Sequence, residues 1–184
     1  RKAEAERAMA ERRFNDLRSL ATSLMFEIHD SIRDLPGATP ARKLVVSKAL
    51  QYLDALSKDA TTDLSLQREL ATAYQRIGDV QGGSADANLG DTQGAIASYR
   101  KSLQIRESIA GMRPHDVQAK EDLADIYDRV GSMAANARDY SQALASYRKS
   151  LELLQQLPNA QTDARMLNRI AGDYYYLGMA LSDS

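Results

Sequence analysis

The sequence predicts an all-α array of antiparallel helical hairpins built from about seven long helices. Three observations predict it: the chain repeats itself, its apolar residues recur every three or four positions, and nothing in it alternates like a strand. The repeat is the strongest. Ala97-Ser98-Tyr99-Arg100-Lys101-Ser102-Leu103 returns as Ala145-Ser146-Tyr147-Arg148-Lys149-Ser150-Leu151, seven identical residues at an offset of 48. Ala95 and Ala143 precede the two copies at the same offset. A duplicated helical unit supplies such a match, and chance does not.

Breakers and caps then place each element. The first helix runs from about Ala3 to Leu35, with Phe14, Leu17, Ala21, Leu24, Ile28 and Ile32 on one face. Pro36-Gly37 ends it, and Thr39-Pro40 offers a cap oxygen and a first-turn proline for a second helix to about Lys58. Thr62 is expected to cap the third, which continues to about Gln81. Gly82 to Gly90 is a loop. The fourth helix starts at Asp91, the fifth at Pro114, the sixth after Asp139 and the seventh at Ala160, ending near Leu181. Residues 1–62 read as a degenerate hairpin and 63–184 as the repeats, the last of them truncated.

A second element recurs within the hairpins. Tyr74-x-x-Ile77-Gly78, Tyr127-x-x-Val130-Gly131 and Tyr174-x-x-Leu177-Gly178 share one pattern, spaced by 53 and 47 residues. About five extra residues in the Gly82–Gly90 loop account for the longer interval. Glycine within a helix costs about 1 kcal/mol of propensity, so its recurrence argues for close approach of a partner helix. Ala95 and Ala143 allow the same approach from the partner, and Tyr99 and Tyr147 fill the groove one turn later. The second helix fits the register in worn form, with Ala49-Leu50 standing where Ser102-Leu103 stands later.

Composition excludes much chemistry. There is no cysteine among the 184 residues, hence no disulfide, iron–sulfur cluster, cysteine zinc site or thiol nucleophile. With 24 basic against 25 acidic side chains, well mixed, a phosphate-binding surface for nucleic acid is not expected. No run of 18 apolar residues suits membrane insertion, and no signal-peptide pattern stands in these residues. The opening at Arg1 reads as a piece cut from a longer protein, with compartment left open. The two histidines, His29 and His115, have no metal-ligand spacing around them, and no nucleophile elbow or phosphate loop occurs. No catalytic, cofactor or metal residues are expected, so this chain is not read as an enzyme.

Binding has the better case. Stacked hairpins make a concave surface lined by the first helix of each pair. Counted from the Tyr and Gly positions, the residues expected to face inward are Thr72, Gln75 and Asp79, then Asp125, Asp128 and Ser132, then Tyr175 and Met179. That surface is acidic at its centre and suits a protein or peptide partner of basic character. One alternative is self-association into a homodimer through the last helix, which carries Tyr174, Tyr175, Tyr176, Leu177, Met179 and Leu181. A second is a helical domain that binds a small ligand.

The Tyr-x-x-Ile/Val/Leu-Gly element, Ala95, Ala143, Tyr99, Tyr147 and the Gly90-Asp91 turn resemble a tetratricopeptide repeat. The resemblance implies a right-handed array and a non-catalytic scaffold for protein binding. The ordinary member repeats every 34 residues and this chain every 48 or so, which fits longer helices, as in kinesin light chains. Members that grip carboxylate tails do so with Lys, Arg and Asn, whereas Gln75, Asp79, Asp128 and Ser132 hold those places here. A narrower resemblance joins Arg13-Phe14-Asn15-Asp16-Leu17-Arg18, Phe26 to Ile32, Asp34 to Arg42 and Asn88-Leu89-Gly90-Asp91 to the C-terminal region of bacterial serine/threonine protein kinases. It implies a membrane-anchored, ATP-binding transferase as parent, with this piece as its sensory or docking portion. No kinase motif stands in the chain itself.

Overall fold

A computed structural model describes residues 23, 26–28, 31–33, 35, 37–58, 63–83, 88–158 and 160–182. Its elements are α1 (Thr39–Leu56), α2 (Leu64–Gly82), α3 (Thr92–Met112), α4 (Val117–Asn136), α5 (Tyr140–Gln155) and α6 (Ala164–Ser182), and no strand occurs among the described residues. The fold is the all-α hairpin array that the repeat predicts. Most of the expected first helix lies outside the described residues, as do Thr62 and His29. The chain forms two compact units, Arg1–Tyr52 and Leu53–Ser184.

Aspartates begin most of the helices. Asp91 accepts from the Gly94 N–H and Asp139 from the Gln142 N–H, each satisfying a first-turn donor. Four expected boundaries move. Asp63, not Thr62, caps α2, accepting from the Ser65 and Leu66 N–H groups. Thr39 is the first helical residue rather than a cap, because the Arg42 N–H already bonds to the Ala38 carbonyl. Pro114 lies in a turn, and α4 waits for Asp116, whose carboxylate accepts from the Ala119 N–H. Ala160 is likewise in a turn, and Asp163 accepts from the Arg165 N–H one residue into α6.

In the second unit, α2 pairs with α3 and α4 with α5, and these hairpins make the most extensive helix contacts. The glycine seats explain why. A Cβ at Gly78 would stand 2.6 Å from carbons of the Tyr99 ring, and one at Gly131 would stand 2.9 Å from the Tyr147 ring. Only a residue without a side chain admits those tyrosines, which are each 2% exposed. Ala95 and Ala143 are wholly buried beside them.

Successive hairpins then join along an apolar seam. Ala95 and Tyr99 of α3 pack with Leu123, Ile126, Tyr127 and Val130 of α4. At roughly 25 cal/mol per Å² of apolar surface, such seams dominate the folding energy. The next seam sets Ala134, Ala143 and Tyr147 against Ala180 of α6.

Gly178 departs from expectation. It is exposed, and a Cβ there would meet nothing within 4 Å. Tyr174 is 55% exposed, whereas its counterparts Tyr74 and Tyr127 are buried. The physical reason is that no helix pairs with α6 on that side among the described residues.

Candidate functional site

The first helices of successive hairpins, α2, α4 and α6, stand one repeat apart and are tied by long side chains rather than by close backbone approach. Arg68 of α2 pairs with Asp116 at the head of α4. About two turns further, Gln75 Nε2 donates to Asp125 Oδ2 at 2.8 Å. Arg129 reaches back to Asp79 of α2 and along its own helix to Asp125 at 3.5 Å. Between α4 and α6, Arg169 meets Asp128 and Arg165 meets Glu121, both at 3.2 Å. A ladder of polar rungs crosses the array.

All eight residues expected on this face lie on the first helices. Thr72 is exposed but turns its hydroxyl onto its own helix, donating to the Arg68 carbonyl at 2.9 Å. Gln75, Asp79, Asp125 and Asp128 are half-buried rungs of the ladder. Ser132 is half-buried beside the Tyr147 hydroxyl. Tyr175 and Met179 are exposed, at 63% and 47%.

The acidic side chains expected at the centre of this face have basic partners on it. Asp79 and Asp125 share Arg129, and Asp128 holds Arg169, so most of the acidic charge is answered within the face. Burial nonetheless pushes the Asp79 carboxyl above the usual range, against the Tyr99 hydroxyl and Arg129 that favour its charge. For Arg129, burial is outweighed by Asp79 and Asp125, and its pKa rises. Arg68, Arg129 and Arg169 were missing from the sequence reading. The one available signal was Arg129 four residues after Asp125, a spacing that brings opposite charges together on a helix.

Residues 71–109 match the tetratricopeptide repeat family model. The paired helices form a tetratricopeptide-like domain. The match spans most of α2 and α3, the first complete hairpin. No curated protein and no solved structure matches the chain.

Within this tetratricopeptide-like array a second cluster repeats with the hairpins. The Tyr74 hydroxyl donates to Asp54 Oδ1 at 2.6 Å, and Lys101 both pairs with Asp54 and lies 5.2 Å from the Tyr74 ring centre. One repeat later the Tyr127 hydroxyl donates to Glu107, and Lys149 lies 5.1 Å from the Tyr127 ring. The third tyrosine, Tyr174, accepts from Gln155 Nε2 at 3.1 Å. Tyrosine, upstream carboxylate and lysine thus form a support, repeated at Tyr74 and Tyr127, that locks α2 and α4 each between its two neighbours.

One polar group breaks the apolar pattern of the seams. Asp173 occupies the position held by Ala73 and Ile126 in the earlier repeats, and it is 3% exposed. Its carboxyl lies beside those of Asp128 and the Ser150 hydroxyl, with Arg169 on its own helix. Asp128 Oδ1, Asp173 Oδ2 and Ser150 Oγ are all shut off from solvent without a well-aligned hydrogen-bond partner. Burial and the neighbouring Asp128 charge push Asp173 up to about 8, and burial raises Asp128 as well. At neutral pH the pair holds a proton. Its place in the array is a seam between α4, α5 and α6.

A cavity between the hairpins, lined by Arg68, Ala71, Arg106, Ile109, Ala119 and Asp122, is of water size. Drug-sized ligands need about 300–1,000 Å³. The arrangement can offer partners an extended, structured polar surface with apolar residues at one end.

Proposed function

We propose that this chain is a non-catalytic protein-interaction module that binds an extended protein segment along the face of α2, α4 and α6. The observation that carries the reading is the ladder through Arg68, Gln75, Arg129 and Arg169, which holds three first helices in one register. Such pre-organisation lowers the ordering cost of binding. The tetratricopeptide match supports it, since repeats of this family generally serve protein binding.

The paired charges change the partner from the basic peptide first expected. A basic side chain would compete with Arg129 and Arg169 for the same carboxylates. The better partner is a polar segment of little net charge, with an apolar residue seated at the Tyr175 and Met179 end. Titration of labelled peptides tests this. Saturable binding that weakens less than about threefold between low and high salt is expected, because few counterions are released. Binding confined to Lys- and Arg-rich peptides and abolished by salt would restore the basic-partner reading. No saturable binding by any peptide would remove the function.

The wider setting we infer is a larger bacterial serine/threonine kinase, of which this would be a docking or sensory portion. What supports it is the likeness of Asp34 to Arg42 and Asn88 to Asp91 to the C-terminal regions of such enzymes. Coding sequence upstream of Arg1 decides it: a reading frame without a phosphate loop, HRD and DFG motifs would refute the inference.

A further inference from the structure

The same four positions of each first helix meet its pairing partner. In α2 they are Ala71, Tyr74, Gly78 and Gln81, and in α4 they are Ala124, Tyr127, Gly131 and Ala134; all eight are buried. In α6 the corresponding residues are Ala171, Tyr174, Gly178 and Leu181, and all four are exposed. A glycine on an exposed helix face costs about 1 kcal/mol and gains nothing there unless something seats against it. The two filled seats show what does. In each, the partner helix presents a buried alanine, a tyrosine four residues later across the glycine, and a lysine two further on over the ring of the first-helix tyrosine.

We propose that the Ala171–Leu181 face of α6 is a docking site for a helix from outside these 184 residues that carries the pattern Ala-x-x-Ser-Tyr-x-Lys. Its tyrosine would cover Gly178, and its lysine would take the open face of Tyr174. The site continues an interface the chain already makes twice, which fixes the chemistry of the occupant. A second copy of the chain is the poorer fit. Among the described residues the two helices with this pattern, α3 and α5, have already committed Tyr99 and Tyr147, each 2% exposed.

The test uses the whole 184-residue chain and a labelled synthetic helix with the sequence of residues 140–157. Fluorescence anisotropy is expected to show saturable binding. Gly178→Leu fills the seat on a face with free space, leaves folding intact by circular dichroism, and weakens binding about tenfold or more. Changing the peptide lysine that corresponds to Lys149 to Ala weakens it about two- to threefold, the loss of one exposed cation–π contact. Binding that is absent, or indifferent to Gly178→Leu because the peptide merely displaces α5, would overturn the proposal. So would a dimer of the chain alone, seen by sedimentation and dissolved by Gly178→Leu, since the seat would then belong to a second copy. Salt-independent binding of peptides to the α2–α4–α6 face is a separate reading and survives either failure.

Discussion

The Tyr99 ring covers Gly78 so closely that a Cβ there would stand 2.6 Å from two of its carbons. Tyr99 cannot retreat, because its hydroxyl donates to Asp79 at 2.6 Å and the ring is buried.

Gly78→Ala is therefore expected to cost about 1–3 kcal/mol by overpacking, even though alanine favours the helix by about 1 kcal/mol. Gly131→Ala, with its nearest ring carbon at 2.9 Å, is expected to cost less. Gly178→Ala is expected to stabilise by about 0.5–1 kcal/mol, having no neighbour to disturb. Urea unfolding of the three variants checks the order, and equal effects at the three sites would contradict it.

Arg138 sits before the Asp139 cap with φ 59°, in the left-handed region, where Gly90 with φ 71° precedes the Asp91 cap. A residue with a Cβ costs about 1–2 kcal/mol there. Arg138→Gly is expected to raise stability by about 1 kcal/mol, read as a higher denaturation midpoint with an unchanged slope.

Asp79 serves two elements, accepting from the Tyr99 hydroxyl and pairing with Arg129. Asp79→Ala is expected to cost about 1–3 kcal/mol because it strands a buried hydroxyl. Arg129→Ala removes a bridge whose two side chains are both more than a third exposed, so solvent screening limits the loss to about 0.5–1 kcal/mol. Thermal unfolding in low and high salt separates them, since only the difference due to Arg129 should shrink with salt.

Asp173 gives the array an unusual pH response. In the unfolded chain it titrates near 3.8, and in the fold near 8. Between those values the folded state holds a proton that the unfolded chain has lost, so stability falls as pH rises from about 4 to about 8 and then levels. Asp173→Asn is expected to flatten that slope, by up to about 1.4 kcal/mol per pH unit, and to stabilise the protein at pH 7. The groups facing Asp173 are Asp128 of α4, Ser150 and Tyr147 of α5, and Arg169 of α6. Unfolding curves from pH 5 to 9 check it, and parallel profiles for the two proteins would refute the shared proton.

What was legible in the sequence was local or repeated. The caps Asp91 and Asp139 are properties of one turn, and the seats at Gly78 and Gly131 announce themselves by recurring with Tyr99 and Tyr147 in register. At Gly178 the same pattern recurs, but no helix among the described residues covers the seat, and the sequence alone does not reveal that difference. Pro114 and Ala160 looked like helix starts, but a carboxylate that accepts an N–H decides the first turn, and Asp116 and Asp163 lie two or three residues later. The pairing of Arg129 with Asp79 spans 50 residues and depends on how far apart two hairpins stand, a distance that no local pattern encodes. Asp173 was hidden by its own helix, whose apolar neighbours made an aspartate look like a solvent position.

The two sides of each hairpin junction are built of different materials. On one side α3 meets α4 through Tyr99, Ile126 and Val130, a contact that water cannot enter without a large penalty. On the other, α2 meets α4 through Arg129, Gln75 and their carboxylates, bonds that water can replace one at a time. A load along the array would therefore open the charged edge first while the greasy edge acts as a pivot. Added salt would loosen that charged edge and leave the apolar one intact.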